Sequence, residues 1–383
     1  MSKRIICIAL ILCMCTCSIC AYAEGENAPL DLSAKSAILI EQSTGKVLFE
    51  KNPDERLPLA SVTKVMTMLL TMEALDSGKI KLDDMVVASE RAKSMGGSTI
   101  FLDTSEEMCV NDLLKGIAVA SGNDACVAMA EYIAGSEEGF VSMMNNRAAE
   151  LGMENTHFVN TNGLDAEGHY SSARDISLMS RELLKHPKIF DYTTIWMDSL
   201  RDGKFQLANT NKLIRFYKGA NGLKTGSTDK ALCCLAGSAL RDNLQLICVV
   251  MAAPTSPKRF SDASKMLDYG FANYAVKRIV TKNESLGDAP VMKGTKNTVT
   301  AVAKDNYDAL TSKGNTVDIQ RELVFDENIC APLKTGDRIG EIRLSENGVQ
   351  TAVVDITAGE NVDKMTYGAM LGRMFMSWLK SVK

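Results

Sequence analysis

The chain has 383 residues, 46% hydrophobic and 23% charged, with 27 Gly and 8 Pro. This composition excludes long disorder, collagen and coiled coil, and the length suits two domains that each bury a core. A net charge of −4, with Lys and Glu mixed throughout, argues against a nucleic-acid partner.

Lys3 and Arg4 precede a charge-free run, Ile5 to Ala23, that ends in Ala21-Tyr22-Ala23. A basic start, an apolar stretch and an A-x-A end define a secretory signal peptide over residues 1–23, so an exported protein is expected. The competing reading is an uncleaved membrane anchor, since the run is just long enough to span a bilayer. Thr16, Ser18 and five cysteines weaken that reading, and Leu12, Met14 and Ile19 suit a lipoprotein signal poorly. Beyond the leader stand Cys109, Cys126, Cys233, Cys234, Cys248 and Cys330. Their spacing fits no metal site, and buried thiols are expected; export permits a disulfide without requiring one.

Ser36–Glu41 and Lys46–Glu50 flank a turn holding Gly45 and read as a β-hairpin. A helical run extends from Ser61 to about Leu75 and stops at Asp76-Ser-Gly78. Further helices are expected over Asn111–Ala120, Asp124–Ala134, Glu137–Leu151 and Arg174–Lys185. After Gly222 the texture turns to strands at Leu223–Ser227, Ala231–Ala239 and Leu244–Met251, with a turn at Arg241-Asp-Asn243 and a closing helix over Ser261–Tyr274. First and last strands can share one largely antiparallel sheet with helices on its faces, an α/β sandwich over residues 31–277.

Over residues 281–360 short alternating strands predict a small all-β domain: Thr298–Ala303, Thr316–Ile319, Leu323–Phe325, Ile339–Leu344 and Ala352–Ile356. In the tail, 364–383, Met370, Leu371, Met374, Phe375, Trp378, Leu379 and Val382 form one stripe of an amphipathic helix, with Arg373, Ser377, Lys380 and Lys383 off it. Such a helix suits a membrane surface; the alternative is a cap on the β domain.

The three histidines, His157, His169 and His186, form no HExxH or close pair, and no G-x-S-x-G or GxxxxGK[ST] occurs. An enzyme here would have to activate its nucleophile without histidine or metal, and lysine can do that. Ser61-Val-Thr-Lys64 puts a hydroxyl and an amine on one helix face at a helix start, where free N–H groups add positive potential. An enclosed lysine beside other cations loses its proton more easily and can act as base. S-x-x-K recurs at Ser43, Ser227 and Ser377, but only Ser61 opens a core helix. Ser121-Gly-Asn123 breaks two helical segments and turns a hydroxyl and an amide toward a cleft. Lys224-Thr225-Gly226-Ser227 opens a strand whose edge can receive an extended peptide. Lys334-Thr-Gly336 and Ser345-Glu-Asn347 repeat two of these patterns in the β domain, in reversed order, and read as turns.

The ordered set S-x-x-K, S-x-N, K-T-G is the pattern of penicillin-binding proteins and serine β-lactamases. Pro58–Lys64, Ser121–Ala125, Asn155–Phe158, Gly163–Asp165, Gly222–Gly226, Ala253-Pro-Thr255 and Arg259 resemble the low-molecular-mass D-alanyl-D-alanine carboxypeptidases, nearly along the whole mature chain. Class A β-lactamases usually carry Asp where Gly122 stands and lack the β domain. The resemblance implies a serine carboxypeptidase acting on peptidoglycan stem peptides, acylated by β-lactams, with no cofactor and no metal, at the outer face of the cytoplasmic membrane or in the cell wall. It implies Ser61 as nucleophile, Lys64 as base, and Ser121 and Lys224 relaying protons. It also implies Asn123 on the peptide backbone, N–H groups of Ser61 and Ser227 as oxyanion hole beside Gly226, and Thr225 with Arg259 on the terminal carboxylate. A β-lactamase and a catalytically silent cell-wall-binding protein are the competing readings.

Overall fold

The computed structural model describes residues 30–314, 319–346 and 348–381. The leader at 1–23, the strand expected at 316–318, Asn347 and Val382 lie outside the described residues. Strands β1 (Ser36–Glu41) and β2 (Val47–Lys51) pair antiparallel around the turn at Gly45, whose φ is +74°. Glu41 stabilises that turn by accepting bonds from the amides and hydroxyls of Ser43 and Thr44 at 2.6–2.9 Å. A 3₁₀ turn (Ala60–Thr63) leads into helix α1 (Lys64–Asp76), which ends where Gly78 adopts a φ of +71°. Helix α1 is buried almost all round, from Lys64 through Met66, Leu69 and Met72, so it forms the domain's central axis rather than a surface helix.

Next come β3 (Met85–Val87), α2 (Glu90–Lys93), β4 (Glu107–Cys109) and α3 (Val110–Lys115). The last continues into a widened π turn, Gly116–Ala120. Helices α4 (Asn123–Ala134), α5 (Glu137–Glu150), α6 (Ala173–Leu183) and α7 (Phe190–Thr193) follow. Strands β5 (Met197–Leu200) and β6 (Phe205–Ala208) make a hairpin, and α8 (Leu213–Phe216) is one turn. Strands β7 (Ala220–Thr228), β8 (Leu232–Arg241) and β9 (Leu244–Ala253) precede α9 (Ser256–Asn273). Arg241 pairs with Leu244 across Asp242 and Asn243, both at positive φ, which makes a two-residue hairpin of the twist-matched kind.

The sheet order is β2-β1-β9-β8-β7, antiparallel throughout, so the first and last strands do pair and β7 is left at an edge. Alternate residues serve opposite faces. Ile38, Ile40, Ile247, Val249 and Met251 enter the helical core, whereas Leu39 and Leu246 lie against Gly270 of α9.

Strand β10 (Tyr274–Val280) follows α9 directly and pairs with β13 (Tyr307–Ser312). The β-rich part thus begins at Tyr274, inside the span expected for the first domain, because the helical register of α9 hid the strand. A five-stranded sheet of β11 (Ser285–Pro290), β12 (Thr298–Ala303), β16 (Val349–Ala358), β15 (Arg338–Glu346) and β14 (Ile319–Phe325) encloses a separate core of Val299, Ile342, Leu344 and Ile356. Gly336 sits in a turn with φ +95°, and Glu346 pairs with Val349 in a hairpin. The repeated Lys334-Thr-Gly336 therefore belongs to a turn.

Helix α10 (Tyr367–Ser381) is the tail. Arg373 lies off the stripe and docks on the β domain, bonding the carbonyls of Gly294 and Thr295 and the side chain of Asn297. Leu371, Phe375 and Trp378 are exposed. Met370 lines a hollow of about 540 Å³ with Val291, Lys293 and Met365. The stripe is thus divided between the β domain and solvent. No helix among the described residues is long and apolar enough to cross a membrane.

Candidate active site

The 3₁₀ turn ahead of α1 leaves Ser61 part-exposed while Lys64, three residues on, is fully buried. Lys64 Nζ donates to Ser61 Oγ at 2.9 Å, to Asn123 Oδ1 at 2.7 Å and to the Asn162 carbonyl at 2.7 Å. Burial pushes the Lys64 amine down from 10.5 to about 8. That brings it into the range of a working general base.

Asn123 opens α4, and its amide is used at both ends: Oδ1 accepts from Lys64, and Nδ2 donates to the Gly96 carbonyl at 2.7 Å. This amide thus holds the Lys64 amine in the site. The segment around Gly96 is fixed from two sides. Asp124 accepts from the amides of Ile100 and Leu102 at 3.0 Å, and Arg201 donates to the carbonyls of Ile100 and Phe101. Ser121, buried, takes a left-handed φ of 65° at the end of the π turn.

Lys224 is buried on β7, and burial together with the nearby Lys64 charge holds its amine well below the usual lysine range. Its Nζ reaches the Thr225 carbonyl at 3.1 Å and Thr210 Oγ1 at 3.5 Å. Among the described residues no hydrogen bond joins Lys224 to Ser121. Thr225 Oγ1 donates to Thr210 Oγ1 at 2.7 Å. Gly226 brings β7 against the nucleophile: a Cβ there would lie 2.8 Å from both Ser61 N and the Leu59 carbonyl. Arg259 is 6% exposed, and its guanidinium bonds the carbonyls of Gly226 and Cys234, Ser227 Oγ and Ser256 Oγ at 3.0–3.3 Å. It therefore braces β7 from α9.

Two contributors, Thr210 and Asn162, carried no sequence signal. Thr210 is exposed and bridges Lys224 and Thr225. Asn162 offers a backbone carbonyl to Lys64, which any residue type supplies. Gly163, part of the Gly163-Leu-Asp165 run, has φ +91° and leaves room for Ala60: a Cβ would sit 1.9 Å from the Ala60 carbonyl oxygen. The cysteines described are all free, and burial pushes Cys126 and Cys248 up to about 12, so they stay thiols.

A serine hydroxyl bonded to a buried, proton-poor amine, beside the open edge of an antiparallel sheet, defines a serine hydrolase that works by acyl transfer. The profile described as D-alanyl-D-alanine carboxypeptidase matches residues 23–255, and that of the penicillin-binding protein 5 C-terminal domain matches 274–364. This chain belongs to the D-alanyl-D-alanine carboxypeptidase family. It is 46% identical to the D-alanyl-D-alanine carboxypeptidase DacF of Bacillus subtilis over 94% of each chain. It is similar to penicillin-binding protein 5 of Haemophilus influenzae, with 32% identity and a TM-score of 0.71 over 88% of this chain and 99% of that one. It also resembles penicillin-binding protein D2 of Listeria monocytogenes in its ampicillin-bound form, with 33% identity and a TM-score of 0.58 over 63% of this chain and 99% of that one.

Proposed function

We propose that the protein is a serine D-alanyl-D-alanine carboxypeptidase that removes the terminal D-alanine from peptidoglycan stem pentapeptides through an acyl-enzyme on Ser61. The observation that carries this is the 2.9 Å contact of Ser61 Oγ with the buried Lys64 amine, held at about 8. Neutral Lys64 takes the Ser61 proton as Oγ attacks the carbonyl of the penultimate D-alanine. The negative charge on the carbonyl oxygen falls between the N–H groups of Ser61 and Ser227, which Gly226 keeps close. The peptide C–N bond breaks, the leaving amine takes the proton, and D-alanine departs. Water then hydrolyses the ester and restores Ser61. The stem peptide lies along the open edge of β7, with Thr225, Thr210 and the Lys224 charge at its carboxylate, Asn123 holding the amine and Arg259 bracing the strand.

β-Lactams acylate the same hydroxyl, as the ampicillin-bound relative suggests. Residues 1–23 direct export, and the enzyme works at the outer face of the cytoplasmic membrane, with the tail on the lipid surface and the product serving cell-wall maturation and cell shape. The decisive experiment measures D-alanine release from a diacyl-L-Lys-D-Ala-D-Ala peptide and maps the peptide labelled by fluorescent penicillin. Release abolished by Ser61→Ala, with label on Ser61 in the parent, is expected. Release that survives Ser61→Ala overturns the reading.

A further inference from the structure

The residue before the nucleophile, Ala60, has a left-handed φ of +48°. Thr63 Oγ1 donates to the Ala60 oxygen at 2.8 Å, and His169 Nε2 lies 2.8 Å from the same Thr63 oxygen. The direction of that second bond is fixed, because His169 Nδ1 accepts from the Val159 amide at 3.0 Å. A neutral imidazole with Nδ1 accepting carries its proton on Nε2 and donates it to Thr63. Burial keeps the ring neutral, its pKa pushed down to about 4. The result is a directed chain, His169 N–H to Thr63 O–H to Ala60 C=O, with every member buried.

We propose that Thr63 and His169 are positioning residues for the Ser61 N–H, acting through the Ala60–Ser61 peptide plane. This rests on the reading of that N–H as an oxyanion donor. A trans peptide is planar, and its C=O and N–H point in opposite directions. Anchoring the Ala60 oxygen toward Thr63 therefore turns the Ser61 N–H the other way, toward β7. The place of Gly226, where a Cβ would be 2.8 Å from Ser61 N, agrees with that direction. Gly163 closes the space behind the carbonyl, so the plane has little room to rotate. Donation to the carbonyl also polarises the peptide and strengthens its N–H as a donor.

The test uses the full chain and two constants: the rate of acylation by a penicillin, and the affinity for a peptide boronic acid, whose tetrahedral adduct on Ser61 fills the oxyanion position. Thr63→Val is expected to lower both by the same factor, about 10- to 100-fold, with KM for the peptide substrate unchanged. Thr63→Ser, which keeps the hydroxyl, restores both. His169→Leu reproduces part of the loss and His169→Gln recovers it, so the relay is tested even if one valine variant fails to fold. The inference is overturned if folded Thr63→Val or His169→Leu acylates at the parent rate. A drop in acylation without the matching drop in boronate affinity overturns it too. Label found away from Ser61 in the parent protein would instead undo the functional reading on which the relay rests.

Discussion

At the scale of single residues, the reaction depends on keeping one ammonium group from staying charged. Lys64 has its three nearest polar neighbours at 2.7–2.9 Å and no exposure to water, and the cost of burying its charge lowers the pKa to about 8. The rate of penicillin acylation should therefore climb as pH rises toward about 8, as the amine loses its proton, and level off above it. Lys64→Arg keeps a charge that cannot be removed, and acylation should fall by roughly 10²- to 10⁴-fold in a stopped-flow labelling assay. Gly226→Ala should cost about 100-fold or more by the same assay, because its methyl group displaces β7 from Ser61. His169 leaves a separate signature in stability. Its folded pKa of about 4 lies below the ordinary 6.5, with burial the main cause, His157 adding to the shift and Asp165 opposing it. Between those values the unfolded chain binds a proton that the folded one does not, so stability falls as pH drops through that window. Melting curves of His169→Gln should lack that component. Ser61, Lys64 and Lys224 were legible in the sequence because their chemistry is in their side chains, at motif spacing. Thr210 and Asn162 were not, since one contributes only by lying beside a distant strand and the other through a backbone oxygen.

At the scale of elements, long periodic stretches announced themselves and short ones did not. Helices α4, α5 and α6 and strands β8 and β9 agree with the sequence pattern to within a residue or two. The β3–β4 pair and the β5–β6 hairpin, of three or four residues per strand, are too short to show alternation. Helix α9 begins at Ser256, five residues before the expected start, although the signal was present. Thr255 caps the Lys258 amide with Pro257 in the first turn. The tail carries the element-scale prediction. Deleting residues 364–383 should abolish sedimentation with anionic vesicles while leaving penicillin acylation unchanged, since the hydrogen bonds that Arg373 of α10 makes go to the β domain and not to the active site. Continued sedimentation of the truncated protein would assign membrane binding elsewhere.

At the scale of the whole molecule, two separate cores lie within one compact unit, Ser33–Lys383. They are linked where α9 runs into β10 and where Lys313 bonds the carbonyls of Phe271 and Asn273. On the α/β side of this junction the Arg241 guanidinium lies 4.5 Å from the ring centres of both Tyr217 and Phe271. Calorimetry should show two transitions, and acylation of Ser61 should raise only that of the α/β domain. A single transition moved as a whole by the drug would mean that the junction couples the two cores fully.

The pairing of β1 with β9, and through β8 with β7, has a consequence for the order of events in the cell. Ser61 belongs to the first quarter of the chain, yet the strand that completes its pocket joins the sheet through β8 and β9, which are made much later. A nascent polypeptide halted before β9 holds the nucleophile and its amine but lacks the rail beside them. A fluorescent penicillin added during synthesis would thus act as a timer, staining molecules only once the last strand of the sheet has slotted into place.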